Sequence, residues 1–491
     1  MSLYVLLIPI MFPALAGIFM LLCPFREARV RNIFVEVVVL LNTVVTLGIL
    51  THGPQGTLYL FSLGEKLPMT LRIDGLAVFF GCIVCVLWPL ASLYAFEYMR
   101  HEERVNTFLA CYTITYGVTL GVAFSGNIVT MYLFYEALTM VTLPLVMHTM
   151  TPEAKRAARK YLYYMIGGTA FAFIGMVFYT LYADNLEFVY GGGLALSRLS
   201  AHMDIVYLIY LLGFFGFGVK AAVFPFHGWL PEASVAPTPV TALLHAVAVV
   251  KSGVFAIMRF TYYCIGADVL AGSWAQNVAL LFAMLTIVYA STMGVREPHF
   301  KRRLAYSTVS NLSYVLLGVT MMSPLGLLAG LAHMLFHAVM KISGFFCVGA
   351  VMHQTGKNYI YELDGLGHHM PYTFTALLVS SLSLAGLPLF SGFVSKWQIA
   401  KALFTNGTWL SKVGVAVLLY SALMTAIYLM TVFVRAFFPD RSVAGDLQAG
   451  FSDPGWQMLL PLGILSAVTV AFGVYAGPVL SLLWQVAQGM F

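Results

Sequence analysis

The stretch from Val219 to Gly253 reads VKAAVFPFHGWLPEASVAPTPVTALLHAVAVVKSG. It begins beside Lys220 and ends just after Lys251, and each lysine follows a long apolar run. Four prolines and two histidines lie between them. Proline interrupts the helical hydrogen-bond ladder, so no single unbroken helix can cross this stretch. The stretch therefore combines two lysines, helix-breaking prolines and apolar flanks, a combination that is unusual for a membrane-spanning segment.

The composition places the chain in a membrane. Of its 491 residues, 60% are hydrophobic and 9% are charged, with a mean hydropathy of +0.87. Soluble domains carry roughly 25% charged residues. Apolar runs of about 20 residues, long enough to cross a bilayer as a helix, recur along the chain. We predict an all-α polytopic membrane protein, with residues 2–23 forming a first span rather than a signal peptide. A net charge of +6, spread over short loops, does not suggest a nucleic-acid partner.

The hydropathy pattern predicts about fourteen transmembrane helices. They cover residues 3–22, 32–51, 75–96, 106–124, 128–148, 161–182, 205–227, 240–261, 274–294, 304–322, 326–352, 373–403, 413–436 and 457–485. With this number of spans, most arginines and lysines of the loops fall on one side, and the count on the other side includes Lys66, Arg72, Arg198 and Arg259. Because basic loops favour the cytoplasm, both termini are expected on the outer side of a cell (inner) membrane.

Four lysines lie inside predicted spans: Lys220, Lys251, Lys341 and Lys396. A lysine at the bilayer centre costs roughly 2.5–3.5 kcal/mol on insertion scales, so these side chains should face a polar interior. Glu136 is the one acid placed deep in a span, and a single carboxylate cannot pair with four lysines. One interpretation is that the charges hold helices together. The other is a proton relay, because burial favours the uncharged form of an amine and lets it take up and release a proton.

Histidines support the relay interpretation. His333, His337 and Lys341 are spaced by four and four residues, which places them in one stripe along a helix. Histidine titrates near physiological pH, and His245 lies six residues before Lys251. A metal site on His333 and His337 is the alternative, but this helix offers no carboxylate or cysteine to complete one. We therefore expect neither a metal nor a cofactor, and we see no histidine spacing typical of a haem bundle.

Two spans look broken. The first contains Pro225, Gly228 and Pro231, and the second contains Gly386, Pro388 and Gly392 before Lys396. Freed backbone at membrane depth is tolerated only where protein or water satisfies it, and broken helices mark ion sites in transporters. The segments GFGVK (216–220) and GFVSK (392–396) also resemble each other.

The stretch K…FPFHGWLPEA…APTPVTALLHAVAVVKSG resembles the proton-conducting antiporter family, shared by Mrp cation/proton antiporters, the membrane arm of respiratory complex I and membrane-bound hydrogenases. The resemblance covers residues 106–435. It implies fourteen helices with two inverted five-helix repeats and breaks in helices 7 and 12. It also implies that Glu136 pairs with Lys220, that Lys251 is central, that His333, His337 and Lys341 lie on a polar eleventh helix, and that Lys396 is at the outlet.

These observations give a domain division and a function. Residues 1–105 would form helices 1–3, residues 106–262 and 263–436 the two repeats, and residues 437–491 a loop and helix 14. The wording around Glu136 favours a D-type Mrp-like or hydrogenase-linked subunit that moves protons, with or without sodium coupling, inside a complex of several membrane subunits. The alternative is an N-type subunit of complex I. A quinone-reacting enzyme is less favoured, since no redox centre is recognisable in the chain, and so is a stand-alone solute carrier. The L type is disfavoured because the chain ends at Phe491 without a long amphipathic helix.

Overall fold

The computed structural model describes residues 2–64, 67–439 and 450–490. Lys66 and Arg441, which entered the orientation count, lie outside these ranges. The described chain forms fourteen helical units, three loop helices of four residues each (Leu196–Leu199, Ala267–Leu270 and Leu366–His369) and one β-hairpin. The units are α1 (Leu3–Leu22), α2 (Ala28–His52), α3 (Gly75–Tyr98), α4 (Val105–Phe124), α5 (Ile128–Val146), α6 (Pro152–Tyr182), α7a and α7b (Met203–Gly218, Trp229–Ala233), α8 (Thr238–Ile265), α9 (Trp274–Arg296), α10 (Phe300–Val319), α11 (Pro324–Thr355), α12a and α12b (Pro371–Ala385, Ser391–Asn406), α13 (Trp409–Phe437), and α14a and α14b (Trp456–Val474, Gly477–Ala487). Helix α8 is interrupted between Ala246 and Val249, and its last six residues, Phe260–Ile265, form a π-helix. The hairpin pairs β1 (Thr57–Ser62) with β2 (Pro68–Arg72) in antiparallel fashion.

Polar caps set the helix boundaries. Asp74 accepts a hydrogen bond from the Ala77 amide at the start of α3, and Asn127 accepts one from the Thr130 amide at the start of α5, at 2.9 and 2.8 Å. Such caps satisfy amides that have no partner inside the helix. Twelve helices of the described chain are long and apolar enough to cross a membrane. The chain is therefore a multi-pass membrane protein, as predicted.

Loop contacts show that successive units alternate in direction. Both described termini lie on the face that carries the hairpin: the Tyr190 hydroxyl, in the loop after α6, donates to the Ala487 carbonyl at 2.7 Å. At the opposite face the Gly455 amide, before α14a, donates to Glu97 at the end of α3 at 2.5 Å. We call the first the hairpin face. The second is the arginine-rich face, which carries Arg26, Arg29, Arg31, Arg100 and Arg104.

The alternation explains the inverted repeats. Helices α4–α8 form one group of five and α9–α13 the next. Because five is odd, the second group must enter from the opposite face. Each group has its broken helix in the fourth place, α7 and α12. The predicted fourteen-helix fold with breaks in helices 7 and 12 is confirmed, whereas the domain limits drawn around it stay a prediction.

Three local predictions were wrong. Helix α6 begins at Pro152 rather than at residue 161, because Thr151 caps a basic, amphipathic first part that hydropathy overlooks. The last span is two helices, which meet at Tyr475 and Ala476. Pro231 does not break a helix: α7a has already ended at Gly218, and Pro231 lies in the first turn of α7b, where a missing amide hydrogen has no partner to lose.

Candidate functional site

The first break leaves backbone groups outside the helical hydrogen-bond ladder, and the side chains of Trp229 and Thr286 bind two of these groups. Between Gly218 and Trp229 the chain forms turns and one short 3-10 helix, Phe226–Gly228, but no α-helix. The Trp229 indole donates to the Val219 carbonyl at 2.8 Å, and the Phe224 amide donates to the Thr286 hydroxyl of α9 at 2.9 Å. Lys220 lies inside this break and is 1% exposed. Its ammonium group donates to the Tyr135 carbonyl of α5 and lies 3.5 Å from the centroid of the Tyr135 ring.

Glu136 lies next to Tyr135 but turns to another partner. Its carboxylate accepts a hydrogen bond from the Thr169 hydroxyl of α6 at 2.7 Å. The four ion pairs among the described residues do not include Glu136 with Lys220. Lys220 thus contacts Tyr135, the residue before Glu136, and forms no direct ion pair with Glu136 itself. Their functional coupling stays a prediction.

Helix α8 passes directly beside the first break. A Cβ atom added to Gly253 would lie 2.5 Å from the Ala221 amide nitrogen and 2.8 Å from the Lys220 carbonyl carbon. Only glycine permits this approach. Lys251 is two residues earlier on α8, so its side chain points to the other side of the helix, away from this contact.

Lys251 and His337 meet in the centre of the bundle. The Lys251 Nζ atom is 2.5 Å from His337 Nδ1, and both residues are 0% exposed. They come from α8 and α11 and are separated by 86 residues in the sequence. An amine and an imidazole that share a hydrogen bond can exchange the proton between them, because each can act as donor or acceptor.

His333 extends this contact toward the second break. Its ring is 5.9 Å from that of His337, one turn away on α11. His333 Nδ1 is 2.9 Å from the Ser395 hydroxyl, next to Lys396, and Nε2 is 3.2 Å from Asn311 of α10. The predicted stripe therefore faces the interior and reaches α12b.

Lys341 and His245 flank one aromatic ring on the other side of His337. The His245 ring lies 4.7 Å from that of Phe345, and the Lys341 Nζ atom lies 5.6 Å from the same ring. Lys341 donates to the Ser307 hydroxyl of α10. His245 and Lys341 thus contact the same ring, a placement that the sequence spacing of His245 from Lys251 left open.

Lys396 belongs to the second break. Gly386 ends α12a in a left-handed conformation, with φ of 89°, that favours glycine. The Lys396 ammonium group donates to the carbonyls of Leu384 and Ala385 at 2.7 and 3.1 Å. These are the last carbonyls of α12a, where the helix dipole is negative and favours a cation. Pro388 is exposed between the two halves, and Gly392 packs on Ser383.

Several polar atoms along this axis have no hydrogen-bond partner among the described residues. They are both ring nitrogens of His245, Nε2 of His337, and the hydroxyls of Ser252, Ser313 and Ser343. Buried polar groups in proteins are nearly always hydrogen-bonded, to protein or to water. The interior between Lys251 and Lys341 is therefore lined by groups suited to hold water.

Sequence reasoning missed three buried basic residues that it had counted in loops. Arg259 is 0% exposed and binds Asp74 in a bidentate pair at 2.5 and 2.6 Å. Asp74 is thus a buried acid, whereas Glu136 is only half-buried. Lys301 and Arg303, at the start of α10, donate to the carbonyls of Ala236 and Tyr428, each at 2.8 Å. The missed signal in α10 is helical spacing: Ser307, Asn311 and Tyr314 form one polar stripe behind these charges.

Family comparison agrees with the fold, and the role of the lysine network stays a prediction. The profile described as NADH:quinone oxidoreductase/Mrp antiporter, transmembrane region, matches residues 125–427. The chain belongs to this family. A second profile, the N-terminus of complex I chain 5, matches residues 61–109. The matched core contains all eight predicted relay residues and both breaks.

Named relatives come from two kinds of complex. The chain is 32% identical over 415 residues to the A/B component of a probable K(+)/H(+) antiporter of Rhizobium meliloti, which covers 83% of this chain and 40% of the relative. It is 30% identical over 441 residues to the A component of the Na(+)/H(+) antiporter of Alkalihalophilus pseudofirmus, covering 83% and 52%. It is also 30% identical over 434 residues to the N component of the NADH-quinone oxidoreductase of Desulforudis audaxviator, covering 85% and 84%. The chain thus spans about half, or less, of the antiporter components it matches, and the D-type assignment stays a prediction.

Two solved structures share the fold. A chain of the archaeal membrane-bound sulfane sulfur reductase superposes with a TM-score of 0.86 at 24% identity, covering 99% of this chain and 97% of that one. A chain of the Mrp complex from Dietzia superposes with a TM-score of 0.84 at 20% identity, covering 99% and 97%.

Proposed function

We propose that this chain is the proton-translocating membrane subunit of a larger complex, and that protons move along a chain of buried lysines and histidines. The observation that carries the proposal is the contact between Lys251 and His337, two fully buried groups 2.5 Å apart. A structural ion pair needs opposite charges, and this pair offers none. Two bases that share one hydrogen bond are instead suited to pass a proton.

The proposed path has two ends. At one end Glu136 and Lys220 set the charge beside the first break, and Gly253 brings that break next to α8. In the centre Lys251, His337, His333 and Lys341 carry the proton, with His245 on the wall. At the other end Ser395 links His333 to Lys396. The unpartnered polar atoms near Lys251 and Lys341 support water as the link across the gaps.

We also propose which membrane, partner subunits and counter-ion this chain works with. By analogy with its antiporter relatives, the chain would work beside other membrane subunits in a cell (inner) membrane, with sodium or potassium as a candidate counter-ion. The excess of basic residues on the arginine-rich face supports a cytoplasmic location for that face. Both termini would then lie outside, and the Lys396 end would open to the outer side.

A second candidate is a component of a redox-driven pump. The near full-length match to the N component of an NADH-quinone oxidoreductase favours it, because there the chain covers 84% of the relative. In this case the relay would be the same and the driving reaction would take place in partner subunits. Purification of the native complex discriminates the two: partner subunits carrying flavin or iron–sulfur centres would identify the redox-driven pump.

The test removes the central amine. We expect Lys251→Ala to abolish proton translocation in inside-out vesicles that contain the assembled complex, since no other group of the described chain bridges α8 and His337. Lys401→Ala is the matched control, because Lys401 is an exposed lysine on α12b. Equal amounts of every subunit in both preparations would show that assembly is intact. Normal pumping by Lys251→Ala would overturn the proposal.

A further inference from the structure

A basic cavity opens on the arginine-rich face between α2, α3 and α14a. It has a volume of about 610 Å³, and its walls include Arg29, Arg31 and Arg100. The four ion pairs among the described residues leave these three arginines out. Glu36, the one acid of the described chain in these walls, accepts a hydrogen bond from the Ser92 hydroxyl at 2.5 Å. Three guanidinium groups beside one carboxylate make the cavity complementary to an anion, and arginine suits a phosphate in particular.

A shallow groove along α14a leads from this cavity toward the middle of the membrane. Trp456 lines both the cavity and the groove, which has a volume of about 550 Å³ and runs past Gly463 to Ile464. A Cβ atom added to Gly463 would have nothing within 4 Å. The absence of a side chain at Gly463 therefore keeps the groove open.

The groove meets an apolar cavity between α3, α11 and α14. Ile464 lines both, and the cavity has a volume of about 310 Å³ with walls that are apolar apart from the Cys82 thiol. Leu335 and Val339 of α11 lie in these walls, two positions before and after His337, and so on the opposite side of the helix from it. Apolar cavities stay dry and bind apolar molecules, so this cavity is suited to hydrocarbon.

We infer that the basic cavity, the groove and the apolar cavity together form a binding site for one anionic phospholipid. The phosphate would bind the arginines, and one acyl chain would follow α14a. The lengths agree, because the rise from Trp456 to Phe472 is about 24 Å at 1.5 Å per residue and half a bilayer with its headgroups is about 20–22 Å thick. The end of the chain would then pack against the back of α11, behind the histidines of the relay.

The size and charge of the site favour a lipid over a helix of a partner subunit. A helix with its side chains is about 10–12 Å wide, so a length of about 15 Å occupies more than about 1,000 Å³. The apolar cavity holds about a third of that volume, and only a single narrow chain can enter it. A lipid also brings the anionic group that the basic cavity is suited to bind.

Arginine substitution tests the headgroup end. We expect dioleoylphosphatidylglycerol to bind the delipidated native complex and raise its melting temperature, and dioleoylphosphatidylcholine to bind far more weakly. Arg29→Gln combined with Arg100→Gln should weaken phosphatidylglycerol binding about tenfold or more, because hydrogen bonds between arginine and phosphate are charge-assisted. The matched control is Arg26→Gln combined with Arg104→Gln, which removes the same charge from exposed residues outside the cavity and should bind normally.

A glycine substitution tests the acyl-chain end. Gly463→Leu adds a side chain to the groove without a clash, so it should weaken phosphatidylglycerol binding while the protein folds normally. Gly48→Leu is the matched control, because Gly48 is an exposed glycine of α2 that also has nothing within 4 Å. Wild-type binding by Gly463→Leu would mean that the arginines bind a headgroup alone, and would overturn the proposed site.

Photocrosslinking locates the end of the chain. Phosphatidylglycerol with a diazirine at the end of one acyl chain should give adducts at Leu335, Val339 or Phe472 when the complex is irradiated and mapped by mass spectrometry. Adducts spread equally over the exposed side of α2, as at Leu40, would show lipid that only surrounds the protein and would overturn the inference.

Two further results would also overturn it. Equal binding of the two lipids, or equal binding by both double arginine variants, would show that the basic cavity holds no lipid phosphate. Disulfide crosslinking of Leu460→Cys, an exposed groove position, to another subunit would show that a protein covers the groove. Each of these measurements reads lipid binding rather than proton translocation, so failure here leaves the proposed function standing.

Discussion

The two broken helices solve the same backbone problem with different donors. In the first break the Trp229 indole takes the freed Val219 carbonyl, and Lys220 reaches sideways to Tyr135 on another helix. In the second break no indole does this among the described residues, and Lys396 itself takes the carbonyls of Leu384 and Ala385. The lysine of the first break is thus free to act on a neighbouring helix, whereas the lysine of the second break also holds its own helix together.

This difference has a consequence for proton transfer. A neutral lysine amine still has two N–H donors, so Lys396 can bind both carbonyls in either protonation state. The second break should therefore keep its shape while Lys396 gains or loses a proton. Lys220 donates to one carbonyl and lies over one ring, so its position depends more on its charge.

The largest effect is expected at Lys396. Lys396→Leu should block translocation and also destabilise the protein, since each buried carbonyl left without a donor costs roughly 1–3 kcal/mol. Lys220→Leu should block translocation with a smaller loss of stability, because its break keeps Trp229. Translocation in vesicles and thermal unfolding of the purified complex measure the two effects, with Lys401→Leu as the exposed control.

A replacement that keeps a titrating group sharpens this prediction. The pKa of a free glutamate is about 4.3, whereas that of a free lysine is about 10.4, so Lys396→Glu should move the pH dependence of translocation to lower pH. If Lys396 only extends its ammonium group toward the membrane surface and takes no part in the relay, the Lys396→Leu variant would translocate protons normally. In that case a cysteine at position 396 would also react with an impermeant reagent as fast as one at 401, and Lys396 would be removed from the path.

The next largest effect concerns Gly253 and Gly392, the glycines at which another segment of backbone packs closely against each break. A Cβ at Gly392 would lie 1.8 Å from the Ser383 carbonyl oxygen, and one at Gly253 would lie 2.5 Å from the Ala221 nitrogen. Overpacking costs about 1–3 kcal/mol or more, so Gly392→Ala should lower the melting temperature more than Gly253→Ala. Gly167→Ala, with nothing within 4 Å of the added atom, should be neutral or slightly stabilising. The reverse order of the first two would show that the second break is the looser one.

Coupling between Glu136 and Lys220 is expected to be smaller. The two side chains do not form a direct ion pair, but Lys220 donates to the carbonyl of Tyr135, the residue before Glu136. Near the first break in sequence the only acid is Glu232. A double-mutant cycle on thermal stability with Glu136→Gln and Lys220→Met should give an interaction of about 0.5–3 kcal/mol. No such interaction energy is expected for Glu136→Gln with Lys396→Met. Additive effects in the first cycle would show that the predicted pair does not operate.

The sequence was sufficient to predict the number of helices, both breaks and the inward-facing stripe from His333 to Lys341, because length, proline and helical spacing are local signals. It could not pair Lys251 with His337, which are 86 residues apart, nor show that Arg259 is buried and binds Asp74. Charge counting assumed that arginines near helix ends lie in loops. The resemblance between GFGVK and GFVSK was also uninformative: Lys220 lies inside its break, while Lys396 lies on the helix that follows.

The smallest effect is expected from Trp229→Phe, and it tests whether the first break depends on a neutral donor. Phenylalanine keeps an aromatic ring but removes the hydrogen bond to the Val219 carbonyl, which should cost about 1 kcal/mol. The Phe224 amide would still be held by Thr286, so the break should stay closed and translocation should continue. Thermal unfolding and vesicle translocation on the same preparation measure both expectations. Loss of translocation with a normal melting temperature would mean that the indole positions Lys220, and the first break would then resemble the second in coupling its backbone to its lysine.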